Sequence, residues 1–210
     1  MGTNKWQLHE KVMRGKSGLI DHIFDITGEE DGFRKIALKE HAFTASALGA
    51  TLRYFYVGDG AFDGKTVVEL LAVYDVSATL AVPALQQFIA SRIGKLLCGI
   101  LTSRIDLIDD FMIATDIIAG EEAGPWEIMR QELQKAIGPH LGMLFSQQEF
   151  VNLVRSSPTF CFEILSTAVV RMEVLEKGVE GFNDSTNVRD NGTGVKSVSA
   201  PKRVSCTGEH

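Results

Sequence analysis

The sequence predicts an α+β protein in which helices greatly outnumber strands. In most of the chain, apolar residues recur every three or four positions, which is typical of amphipathic helices. Only two short segments suit strands: the step Trp6-Gln7-Leu8 and the alternating residues 33–38. From Asn183 onward no apolar periodicity remains, and the polar composition predicts a disordered tail.

Composition limits the classes of function. With 210 residues and 45% hydrophobic residues, the chain can form one or two ordinary domains. Its net charge of −6 argues against nucleic-acid binding, which requires a basic surface. No apolar run reaches the length of a membrane span, and the N-terminus lacks the apolar core of a signal peptide. We therefore expect an intracellular protein, in the cytoplasm or nucleus, with no nucleic-acid or membrane partner.

No residues stand at the spacing of a catalytic, cofactor or metal site. The three cysteines form no metal or redox motif, and we interpret them as reduced thiols. His9 opens a helical pattern without ligand partners, which favours a structural hydrogen bond. Asp106, Asp109 and Asp110 could imitate a paired-acid site on one helix face, but we interpret them as a solvated surface. We expect neither an enzyme nor a cofactor-binding protein.

Several helix ends can be predicted from single residues. Gly15 and the pair Ser17-Gly18 predict a break between two short N-terminal helices. Pro83 favours a helix start, as does Pro158 after Ser157. Ser146 and Glu149 have the spacing of a capping box.

The glycine-rich segment 58–66 resembles a phosphate-binding loop, because Gly64-Lys65-Thr66 precedes a helical pattern. The spacing excludes that function. Asp59 stands where the first glycine of such a loop is needed, and its carboxylate would repel a polyphosphate. We predict a turn between two helices, in which Gly58 and Gly60 are free to adopt positive φ.

Four motifs in order along the chain carry a resemblance to a known family. They are the strand-to-helix step Trp6-Gln7-Leu8-His9, the step Lys16-Ser17-Gly18-Leu19, the helix end LRYFYVGD at residues 52–59, and the helical pattern at 68–76. Together they resemble a BTB/POZ domain that lacks the usual first strand. The resemblance implies a small sheet flanked by helical hairpins. Residues 100–177 resemble the helical extension of many fungal members.

The resemblance implies a protein–protein interaction module that acts as a scaffold or oligomerisation domain. We predict a BTB/POZ-like domain at 1–95, a helical extension at 96–178 and a disordered tail at 179–210. The expected partners are other proteins, with self-association left open by the missing first strand. The alternative is a substrate adaptor of a cullin-RING ubiquitin ligase.

A cullin contact would use the turn after the second helix and the helix near Ser77. Family members often carry an apolar residue there, two positions before a glutamate. Here a glycine occupies that apolar position, which removes the expected anchor. The candidate partner-binding residues are Phe24, Gly28, Glu29, Glu30, Asp31 and Ser77.

Overall fold

In a computed structural model, the described residues are 6, 8–27, 44–121 and 123–187, and nearly all of them are helical. Some successive α-helices are separated by short 3-10 turns, at Gly58–Phe62, Ile105–Leu107 and Gly138–His140. In chain order the α-helices are α1 (Glu10–Met13), α2 (Gly18–Ile26), α3 (Ala45–Val57), α4 (Val67–Thr79), α5 (Pro83–Ser103), α6 (Ile108–Gly120), α7 (Ala123–Ile137), α8 (Leu141–Leu144), α9 (Gln148–Ser156) and α10 (Pro158–Asn187).

The predicted α+β class is wrong, because the described residues contain no strand and form an all-α structure. Trp6 and Leu8 belong to neither a helix nor a strand. The backbone N–H of His9 donates to the hydroxyl of Tyr56, 2.8 Å away at the end of α3, rather than to a neighbouring strand. The segment is thus held by a helix instead of a sheet. The second predicted strand, at 33–38, lies outside the described residues.

The chain divides into two compact units, Met1–Leu133 and Gln134–His210. Helix α5 runs without interruption through Lys95, where the sequence predicted the end of the first domain. Helix α7 contributes residues to both units. Each unit has its own set of buried apolar side chains.

Helix α4 forms the centre of the first unit and packs against α3, α5 and α6. Seven of its thirteen residues are buried, whereas Glu69 and Thr79 are exposed. Tyr74 of α4 packs against Trp126 of α7 with ring centroids 5.0 Å apart, and its hydroxyl donates to the carbonyl of Pro125 at 2.9 Å. The hydroxyl therefore keeps a partner although the ring is fully buried.

Hydrogen bonds connect the start of α2 to the end of α4. Ser17, the N-cap of α2, is 1% exposed, accepts from the N–H of Ile20 and donates its hydroxyl to the carbonyl of Leu80. The N–H of Gly18 donates to the carbonyl of Ala81 at 3.2 Å. Unpaired N–H groups at one helix start thus satisfy unpaired carbonyls at another helix end. The predicted break between α1 and α2 is confirmed, with Gly15 at φ +74°.

An aromatic cluster of the second unit joins α9 to α10. Phe150 lies between Phe145 and Phe160, with centroid distances of 5.5 and 6.3 Å. Ser157 accepts from the N–H of Phe160 at 3.4 Å, which confirms the predicted cap at the start of α10. The capping box predicted at Ser146 is wrong. Its hydroxyl donates to the carbonyl of Met143, and the helix begins two residues later.

Candidate interaction surfaces

Two of the six candidate partner-binding residues are buried. Phe24 is 6% exposed and carries the guanidinium of Arg14 over its ring at 5.5 Å. Ser77 is fully buried, and its hydroxyl donates to the carbonyl of Tyr74 at 2.7 Å. In this conformation neither side chain is presented to a partner. The other four candidates, Gly28, Glu29, Glu30 and Asp31, lie outside the described residues.

The glycine-rich segment is a helix cap. Thr66 is the N-cap of α4, and its hydroxyl accepts from the N–H of Glu69 at 3.3 Å. The Glu69 carboxylate accepts in return from the N–H of Thr66 at 2.9 Å, which completes a capping box. This bond and the ammonium of Lys65, 3.3 Å away, lower the pKa of Glu69. A carboxylate thus occupies the helix start where a phosphate would need to bind.

Positive φ in this segment occurs at Gly58 and Gly64, at +66° and +73°. The expectation of positive φ is therefore correct for Gly58, whereas the second such residue is Gly64 instead of Gly60. The spacing of Thr66 and Glu69 in the sequence is the signature of a capping box and is the signal that predicts this helix start.

A shallow polar cleft of about 260 Å³ opens between the end of α4 and the start of α7. The residues that line it include Asp75, Thr79, Glu121 and Trp126. Burial raises the pKa of Asp75. No spacing rule could have found this cleft, because Asp75 of α4 and Glu121, which follows α6, are far apart in sequence and come together through the packing of α4 against α6.

The acidic residues of the α6 region are exposed. Asp106 pairs with Arg104 through two contacts of 3.3 Å, and this pairing lowers the pKa of Asp106. Asp109 and Asp110 lie in the exposed first turn of α6. Among the described residues, no group of three or more histidine, cysteine, aspartate or glutamate side chains is arranged to hold a metal ion.

Helix α10 carries the largest concentration of exposed apolar side chains in the described part of the second unit. We call these residues the α10 apolar stretch, and they are between 48% and 72% exposed: Phe162, Leu165, Val169, Val170, Met172, Val174 and Leu175. In the first two turns of the same helix, Phe160 and Ile164 are buried. The sequence predicted this helix as amphipathic, but apolar periodicity alone cannot show which side the remainder of the unit covers.

None of the described helices is long and apolar enough to cross a membrane. The described residues thus define a helical protein with a polar cleft in one unit and an apolar helix surface in the other. No protein-family model, curated protein or solved structure significantly matches the chain.

Proposed function

We propose that the chain is a protein–protein interaction module of BTB/POZ type, acting as a scaffold or oligomerisation domain. The observation that carries this proposal is the α10 apolar stretch, with seven large apolar side chains at least 48% exposed. Exposed apolar patches of this extent are typical of surfaces that bind another macromolecule.

The free energy of association through this surface depends on how much apolar area a partner would cover. Fully burying a leucine, valine or methionine side chain contributes about 1.5–3 kcal/mol, so a residue that is already half-buried gains about half of that. Several such residues on one helix offset a substantial part of the free-energy cost of association. Surface contact therefore supplies a function that needs no catalytic residue.

The first unit adds support through the order of its helices. The segment that resembles the Tyr-x-Tyr-x-Gly helix end closes α3, and Gly58 follows it with a positive φ of 66°. Helices α4 and α5 then pack against each other, as expected of a helical hairpin in the resemblance. The sheet that the resemblance implies does not support the proposal, because the described residues contain no strand.

The cullin-adaptor alternative has less support. Of its predicted contact residues, Phe24 and Ser77 are buried, and a buried side chain cannot anchor a partner without rearrangement. The remaining contact residues lie outside the described part of the chain. The alternative therefore depends on a direct binding measurement.

Size-exclusion chromatography with light scattering, with and without a cullin N-terminal domain, tests the proposal. We expect the chain to form a defined oligomer heavier than its 23.0 kDa monomer, with a mass unchanged by the cullin domain. A monomer that shifts into a cullin complex would favour the adaptor. If the chain remains monomeric at about 100 μM and does not bind the cullin domain, an oligomerisation role is contradicted.

A further inference from the structure

The segment 169–175 of α10 is exposed around its whole circumference. Every residue from 169 to 175 is exposed, and five of these seven are apolar. Seven residues make about two helical turns, so no side of this segment is covered by the described part of the chain. A helix that is apolar on several sides is normally buried by a neighbouring element.

The apolar residues of α10 follow a seven-residue repeat. Leu165, Ala168, Met172 and Leu175 are separated by three, four and three positions, and the sequence continues with Val179 and Phe182 at the same alternation. The helix itself extends to Asn187. The alternation of three and four positions averages 3.5 and keeps these residues on one side of the helix. It is the pattern of two helices that supercoil around each other.

We propose that α10 pairs in parallel with α10 of a second copy of the chain. The pairing surface, which we call the seam, is formed by Leu165, Ala168, Met172 and Leu175. This inference rests on the proposed function and specifies both the surface and the partner. The three large residues of the seam are 55–58% exposed, so they are available to that partner.

The charges next to the seam fit a parallel second copy. Arg171 directly precedes the seam residue Met172. Glu176, five positions after Arg171, directly follows the seam residue Leu175. In a parallel pair of helices, these two positions of opposite copies face each other across the edge of the seam. The two-fold symmetry of a dimer repeats the match, so each edge of the seam brings together one cationic and one anionic position.

The available surface is sufficient for a small dimer interface. Phe162 and Val169 flank the seam and are 72% and 48% exposed. Together with Leu165, Met172 and Leu175 on two copies, they offer roughly 1,000 Å² of surface, which is the lower limit of a specific interface. We therefore expect a dimer whose population depends on protein concentration.

Sedimentation equilibrium of the full chain and two double variants tests the pairing. The seam variant is Met172→Glu with Leu175→Glu. The matched control is Val170→Glu with Val174→Glu, which changes equally exposed valines (60% and 64%) outside the seam of the same helix. We expect a wild-type dimer, a dissociation constant raised at least about tenfold in the seam variant, and a change below about threefold in the control.

Circular dichroism of each variant establishes that the helices are retained. If the wild type self-associates and the seam variant does so equally well, the α10 pairing is overturned while the proposed function stands. If the control weakens association as much as the seam variant, the seam is also overturned. A wild type that stays monomeric overturns the α10 pairing and, of the proposed function, the oligomerisation role.

Disulfide formation tests the parallel orientation. Leu175→Cys is introduced in a chain whose Cys98, Cys161 and Cys206 are replaced by serine. In a parallel pair the two copies of residue 175 lie opposite each other, within the distance that a disulfide can bridge. We expect rapid formation of a covalent dimer, and slow formation with Val174→Cys. Equal rates at the two positions would contradict the parallel seam.

Discussion

At the residue scale, Gly94 of α5 leaves room for the side chain of Glu132 on α7 in the first unit. A Cβ atom at this buried position would lie 2.7 Å from Oε2 and 3.2 Å from Cβ of Glu132. The carboxylate can rotate away, but the Cβ of Glu132 is fixed to the backbone of α7. A side chain at residue 94 therefore requires the two helices to separate slightly.

Alanine substitution at two glycines of α5 measures this constraint. A Cβ atom added at Gly99 would meet no atom within 4 Å, so Gly99→Ala should stabilise the helix by about 0.5–1 kcal/mol. Gly94→Ala should be less stable than Gly99→Ala by about 1–3 kcal/mol, because its gain in helix propensity is offset by crowding. Urea unfolding compares the two, and equal stabilities would show that the helices do not approach so closely.

His140 makes the stability of the second unit depend on pH. Burial, followed by the positive charge of Arg171, lowers the pKa of His140 below its usual value of 6.5. Because the folded-state pKa is the lower one, the unfolded chain takes up the proton first as the pH falls. The contribution of neutral His140 to stability is therefore present above about pH 6.5 and is lost as the pH falls through the folded-state pKa.

The variant His140→Gln should remove this part of the pH dependence. We expect the free energy of unfolding of the wild type to decrease between pH 7 and pH 5 more steeply than that of the variant. Chemical denaturation at several pH values, monitored by circular dichroism, provides the comparison. Parallel pH profiles for the two proteins would mean that His140 titrates alike in the folded and unfolded states.

At the element scale, the start of α4 depends on the capping box of Thr66 and Glu69. Thr66→Ala removes the hydroxyl that accepts from the N–H of Glu69 and should cost about 1 kcal/mol of unfolding free energy. Thr102→Ala is a suitable control, because its hydroxyl donates to the carbonyl of Cys98 within α5 and caps no helix start. Thermal unfolding should separate the two variants, and equal losses would contradict a capping role.

The helices could be predicted from the sequence where local residues determine them. Pro83 begins α5 and Pro158 begins α10, since proline at the first helical position loses no hydrogen bond. The segment at Trp6 could not be predicted in this way. Its alternating pattern suits a strand, but the backbone N–H of His9 donates a hydrogen bond to the hydroxyl of Tyr56, a residue far away in the sequence. Tertiary contacts of this kind override local preference.

The candidate surfaces show the same division between local and tertiary information. The sequence predicts α10 as a helix. It does not predict that Phe160 and Ile164 are buried while the α10 apolar stretch is exposed. The motif predicts Ser77 at a surface, yet α4 lies at the centre of the first unit and buries this residue. Position along a helix is thus predictable from sequence, while the covered side is determined by packing.

At the scale of the whole molecule, the proposed mode of action is association. The first unit is organised around α4, and the second presents the α10 apolar stretch. Self-association through α10 would bring two copies of the chain together without any change in covalent chemistry. It would also make apparent stability rise with protein concentration, because the dimer contains only folded chains.

Hydrogen exchange measured by mass spectrometry at low and high protein concentration tests this central claim most directly. Pairing of α10 should slow the exchange of backbone amides in peptides covering residues 165–175 as the concentration rises, because paired helices open less often. Exchange in α4 and α5 should stay the same and provides an internal control. Concentration-dependent protection confined to α10 is the predicted result, and equal exchange of α10 at both concentrations would contradict it.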